Sequence, residues 1–280
     1  MPLELSSFVS TVLEPRVYVS EEIFAPELFR SLVESFPTEH LNEKMGEAYF
    51  AEIDSERHGN EFRQIMHTRS EWNKLFRFVT SSKFRSQLLQ RFSTELHDLR
   101  GTEMMTGLRS SDTEVKCSFH MSRNGYLLSP HTDTGKKMIT IVIYVGEFNE
   151  ELIGAGTRFY RARSQKLGSE YLQELLDDDD RKELEKPNGI VGASIGRVYS
   201  AGDRTLELQE HLKRFDSIHD CVFECGFRGN RAVLFIKSNT SWHDVRLESV
   251  TNGQFRRTFV VNFSLAQSRR SKILRSLIRA

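Results

Sequence analysis

His131 and Asp133 stand two residues apart in the stretch SPHTDTGKKMITIVIYVG, residues 129–146. An imidazole nitrogen and a carboxylate oxygen are both competent ligands for a divalent transition metal. On an extended strand, residues two apart face the same side, so this pair could offer both donors to one ion. Spacing alone carries little weight. Nine histidines and 39 acidic residues in 280 positions give about one His-x-Asp/Glu by chance, and the chain contains one.

Context adds more. A second histidine, His243, lies in SNTSWHDVRL, 112 positions on and just after the apolar run RAVLFI. Two histidines and one carboxylate on adjacent strands would form the facial triad of non-haem Fe(II) oxygenases, with three coordination positions left open. The run RRTFVVNFSL (256–265) then shows a two-residue period. Phe259, Val261, Phe263 and Leu265 share one face, suited to a hydrophobic core. Arg256, Thr258, Val260, Asn262 and Ser264 share the other, whose cation and hydroxyls suit an anionic ligand.

These residues need a frame. RVYVSEEIF followed by APELFRSLVESFP predicts a strand and then an amphipathic helix closed by Pro37. Helical spacing across residues 70–100 predicts two helices broken near Ser81 and Ser82. Strands are expected at Glu114–Ser122, Lys137–Val145, Gly156–Ala162, Arg231–Ser238 and Arg256–Leu265, all rich in β-branched and aromatic residues. A helix is expected around SEYLQELLDDDDRKELEK, with the acid run Asp177–Asp180 as a solvated turn. Helices followed by strands give an α+β class, with helices on one side of an antiparallel sandwich or barrel. One domain is expected: a mainly helical part over 1–112, a strand-rich core over 113–265, an insertion over 163–229 and a basic helix over 266–280.

HTD, SWHDV and the G-x-x-R-R-T of residues 253–258 together resemble the 2-oxoglutarate- and Fe(II)-dependent dioxygenases, in particular the prolyl-4-hydroxylase-like branch. The likeness covers two blocks, Ser122–Ala162 and Asn230–Ser264. It implies a double-stranded β-helix (jelly roll) core with Fe(II) held by His131, Asp133 and His243. It further implies 2-oxoglutarate and O2 as co-substrates, the 5-carboxylate of the former on an arginine followed two residues later by Ser or Thr. Arg256 with Thr258 fits that pattern; Arg257 is the rival, which strand parity places on the Phe259 face. Tyr126, in RNGYLLSPHTD, matches a tyrosine that helps hold 2-oxoglutarate. The activity implied is hydroxylation of an unactivated C–H, with succinate and CO2 as co-products. The carboxylate at position 133 argues against halogenation, in which a halide takes that coordination position.

Other readings compete. His243 beside Trp242 could be a semi-buried core histidine, Asp133 after Pro130 a turn acid, and Arg256 the partner of a surface carboxylate. A non-catalytic jelly-roll binding protein could use the same frame. A zinc hydrolase is weakened by the lack of a His-Glu-x-x-His motif. Equal numbers of basic and acidic residues, 39 each, remove the electrostatic case for a nucleic-acid partner. No apolar run approaches the ~20 residues of a membrane span, and the opening MPLELSSFVS lacks a secretory pattern. Three cysteines make no disulfide framework, so a cytoplasmic location is expected. A small-molecule substrate is favoured, a prolyl or other protein side chain is the alternative, and the oligomeric state is left open.

Overall fold

The computed structural model describes residues 3–101, 105–147, 151–186, 188–195, 206–248, 250–251 and 253–266. The basic helix expected over 266–280 falls almost wholly outside them. Among the described residues, no helix is long and apolar enough to cross a membrane.

Among the described residues, eleven strands form two antiparallel sheets. The larger has the order β1 (Val9–Val12), β2 (Val17–Ser20), β9 (Ala232–Ile236), β6 (Lys137–Tyr144), β11 (Arg256–Leu265), β4 (Thr113–Ser122) and β3 (Phe50–Asp54). The smaller has the order β5 (Leu127–His131), β10 (His243–Arg246), β7 (Glu151–Ala162) and β8 (His219–Arg228). From β4 to β7, and again from β8 to β11, successive strands alternate between the sheets, which is the winding of a jelly roll. Side chains of both sheets meet in one inter-sheet core containing Val142, Tyr144, Phe159, Phe227, Phe235, Val245 and Val260.

Helices α1 (Pro26–Glu34), α2 (Thr38–Met45), α3 (Gly59–Thr68), α4 (Ser70–Thr80), α5 (Ser82–Arg91) and α6 (Ser93–Arg100) cover the outer face of the larger sheet. Their apolar stripes meet the odd-numbered face of β11. Trp72 of α4 is fully buried, packs edge-on to Phe119 at 4.9 Å, and donates its indole N–H to Leu32 O at 3.2 Å. β11 is therefore buried on both faces, helices against Phe259 and its neighbours, the inter-sheet space against Thr258 and its neighbours.

Four features differ from expectation. Residues 70–100 make three helices, because the chain breaks again at Phe92 while its ring stays in the core. Asp177–Asp180 is a helix start rather than a turn: Asp177 accepts from the N–H groups of Asp179 and Asp180 and caps α8 (Asp178–Leu184). The stretch 163–229 holds α7 (Gln165–Glu174), α8 and α9 (Leu206–Ile218), but its last residues include β8, an edge strand of the smaller sheet. The strand β3 adds to the larger sheet beyond β4.

Glu52 fastens β3 to β4. Its carboxylate lies 3.1 Å from His120 Nε2 and pairs with Arg57. Burial alone would raise its pKa, but the hydrogen bond and charge of His120, with Arg57, hold it down to about 2. A depressed carboxylate stabilises the fold fully above its ordinary value of 4.5 and loses that contribution as pH falls through about 2. Glu52→Gln is expected to cost about 1–2 kcal/mol at neutral pH. In urea unfolding, the gap between variant and parent should close between pH 4.5 and 2; a gap independent of pH would refute the pairing.

Candidate metal centre

β5 and β10 are antiparallel neighbours, and their register sets His131 directly opposite His243. The imidazole rings lie 4.1 Å apart between centroids. Each ring is oriented by its own chain: His131 Nδ1 is 2.9 Å from Ser129 O, and His243 Nδ1 is 2.9 Å from Ser241 O. A carbonyl only accepts, so each Nδ1 carries the proton and each Nε2 presents a lone pair. Both lone pairs converge on Asp133, with Oδ1 3.7 Å from His131 Nε2 and Oδ2 3.9 Å from His243 Nε2. The three ligand atoms lie within 4.8 Å of one another, the one such group among the described residues.

Asp133 reaches this position differently from expectation. β5 ends at His131, and Asp133 lies beyond it in the left-handed region, with φ of 64°. Strand alternation therefore does not bring the two together; a local turn does, and aspartate is among the few side chains that tolerate that backbone.

The electrostatics suit a divalent cation. Burial pushes both imidazoles down, His243 to about 3, so both stay neutral and able to ligate. Burial opposes ionisation of Asp133, but the charge and hydrogen bond of Lys137 hold its carboxyl well below the usual range. Lys137 Nζ lies 2.6 Å from Asp133 Oδ1, and the Thr140 hydroxyl lies 3.5 Å from Oδ2. Thr140 continues to Asn262 Oδ1 at 3.0 Å. A carboxylate with one oxygen on an ion and the other held by an ammonium is a sound monodentate ligand, so the donor set fits a metal.

Behind His243, Asp244 is fully buried among cations. It takes two hydrogen bonds from Arg158, at 2.9 and 3.2 Å, one from Tyr160 OH at 2.9 Å and one from Arg246 at 2.7 Å. This network braces the short strand β10 from the side opposite the triad.

Arg256 points into the inter-sheet space. Its guanidinium donates to Ala155 O at 2.9 Å and to Thr157 Oγ1 at 3.1 Å, and lies 5.4 Å from the centre of the Tyr144 ring. Two donated bonds leave guanidinium N–H groups for an anion. Tyr126, also buried, stacks on Phe50 at 4.9 Å, near enough for the Arg256 charge to act on its phenol. Thr258 is completely buried, and its hydroxyl has no hydrogen-bond partner. A buried orphan hydroxyl two residues from a buried arginine fits a missing carboxylate. Arg257 lies on the other face, its guanidinium 5.9 Å from the Phe36 ring beneath the helices.

Lys137, Thr140, Tyr144, Thr157 and Asp244 escaped the sequence reading. Lys137 carried a weak signal, four residues after Asp133; Tyr144 and Thr157 carried none, because the β6–β11 register brings the first to Arg256 and the packing of the smaller sheet on the larger brings the second.

No protein-family model matches the chain, and no curated protein matches it in sequence. Among solved structures, the chain is similar to a prolyl-4-hydroxylase of Pseudomonas putida, with 12% identity, a TM-score of 0.41, and coverage of 90% of this chain and 93% of that one. It is also similar to HygX from Streptomyces hygroscopicus with nickel and 2-oxoglutarate bound, at 10% identity and a TM-score of 0.45, covering 95% and 89%. EvdO2 from Micromonospora carbonacea var. aurantiaca complexed with 2-oxoglutarate matches at 10% identity and a TM-score of 0.44, covering 92% and 94%.

Proposed function

We propose that this chain is an Fe(II)- and 2-oxoglutarate-dependent oxygenase that hydroxylates an unactivated C–H of a small molecule. The observation that carries the reading is the convergence of His131, Asp133 and His243, with each Nδ1 tied to a carbonyl of its own strand segment. Iron, when bound, would supply oxygen activation coupled to decarboxylation of 2-oxoglutarate.

The chain's own residues do the rest. His131 and His243 hold neutral Nε2 lone pairs in place, and Asp133 would supply the one anionic ligand, a set of three donors that would leave positions for co-substrate and oxygen. Arg256 would take the 5-carboxylate of 2-oxoglutarate in a charge-assisted pair, with the Thr258 hydroxyl donating to the same group. Tyr144, whose ring lies 5.4 Å from the guanidinium, and Tyr126 flank Arg256 at that end of the inter-sheet space. Phe159 and Phe235, whose rings lie 6.0 and 4.5 Å from that of His243, exclude water from the ligand side.

The test is succinate formation from 2-oxoglutarate by the purified chain with Fe(II), ascorbate and oxygen. Slow uncoupled turnover is expected without substrate, and acceleration by members of a metabolite panel. Acceleration by a prolyl peptide instead would move the substrate to a protein side chain. Stoichiometric binding of iron and 2-oxoglutarate without any succinate would make the chain a binding protein.

A further inference from the structure

Residues 188–195, which follow α8, run directly over the metal-ligand loop. Thr132, fully buried between His131 and Asp133, donates its N–H to Ala193 O at 2.9 Å and accepts the Ala193 N–H on its hydroxyl at 3.1 Å. Ile195 N–H donates to Pro130 O at 3.1 Å, and Ser194 forms an isolated bridge with His131. The other edge is fastened too. The Asn239 side chain accepts from Val191 N–H and donates to Gly189 O, both at 2.9 Å. The Lys237 ammonium, 1% exposed, donates to Val191 O at 2.8 Å and Ser238 O at 2.7 Å.

Two glycines allow the close approach. A Cβ on Gly192 would lie 2.5 Å from Asp133 O, and one on Gly135 would overlap Ile190 O. Asp133, whose backbone is in the left-handed region, thus sits between a neighbour hydrogen-bonded to Ala193 and its own carbonyl packed against Gly192.

We infer that Ile190–Ile195 is a strap that fixes the geometry of the metal-ligand loop, with Thr132, Asn239 and Lys237 as positioning residues that fasten it. The inference rests on the triad reading. The strap sets the Asp133 carboxylate before any substrate arrives, which is a different role from that of a closing lid. Removing the Thr132 hydroxyl leaves Ala193 N–H unpaired and frees the loop at its centre. Adding a methyl at Gly192 pushes the strap off Asp133 O.

Co(II) titration of the full-length metal-free chain tests this, read by visible absorption and by the metal-induced rise in melting temperature. Thr132→Val and Gly192→Ala are each expected to weaken Co(II) binding about 10- to 100-fold. Thr132→Ser should restore the parent affinity and spectrum. Leu167→Ala, on the exposed side of α7, should bind as the parent does. Parent-like Co(II) affinity in both folded strap variants would overturn the strap and leave the triad standing. Failure of the parent to bind Co(II), or undiminished binding by Asp133→Ala, would overturn the triad and the strap with it.

Discussion

Asp133→Ala is expected to abolish iron-dependent turnover and to lower divalent-metal affinity by more than the ~10–100-fold that loss of an outer-shell partner costs. The substitution removes the one anion from a site of two neutral imidazoles. It also leaves the Lys137 ammonium, now 2.6 Å from that carboxylate, as an uncompensated cation beside them. Charge repulsion then opposes a divalent ion where attraction favoured it. His131→Ala and His243→Ala should abolish turnover as well, each by removing one lone pair. Circular dichroism should show the fold intact in all three, because the sheets are held by backbone pairing among eleven strands rather than by these side chains. Turnover retained by two of the three variants would remove the triad.

The second large effect is expected at Arg256. Arg256→Ala should weaken 2-oxoglutarate binding by about 2–4 kcal/mol, roughly 30- to 1000-fold, through loss of a buried charge-assisted contact. Fe(II) affinity should change far less, so the two ligands separate in titration. Arg257→Ala, beneath the helices against Phe36, should leave 2-oxoglutarate affinity near the parent value and act on stability instead. A reversed pattern would mean that the inter-sheet face of β11 is the odd-numbered one, contrary to its packing.

Much of this frame was legible because period and composition agree. In β11 the alternation of Phe259, Val261, Phe263 and Leu265 with Thr258, Val260, Asn262 and Ser264 assigns faces from sequence alone, and the register with β4 and β6 follows it. Other elements carried no such agreement. β8, HDCVFECGFR, mixes charge, cysteine and glycine, because an edge strand buries one side unevenly. β3, five residues long, is too short for its period to show against the neighbouring helices. The second break in residues 70–100 was hidden by Phe92, whose apolar ring continues the helical pattern while its backbone ends it.

The triad was readable as a set of residue types but not as a geometry. Asp133 works from a left-handed turn, and backbone handedness leaves little trace in a single aspartate. Tyr144 and Asp244 come to their positions through pairing between strands far apart in sequence, and Thr157 through the packing of one sheet on the other. The same holds for the strap, whose glycines resemble ordinary loop residues until Asp133 O is set against Gly192.

The His131–His243 register pair makes metal occupancy a measure of how well two strands are aligned. β10 is only four residues long, and its pairing with β5 shifts irregularly between His243 and Val245, so few ladder bonds hold it. Sliding β10 by one residue would turn its imidazole to the opposite side of the sheet. An ion held by both histidines forbids that slide and lends its binding free energy to the aligned state. Backbone amides of β5 and β10 should therefore exchange with deuterium more slowly once the ion is bound, while those of β4 and β11, with ten paired residues, should hardly change. The ion would then act on the dynamics of the smaller sheet as a pin through two adjoining strips.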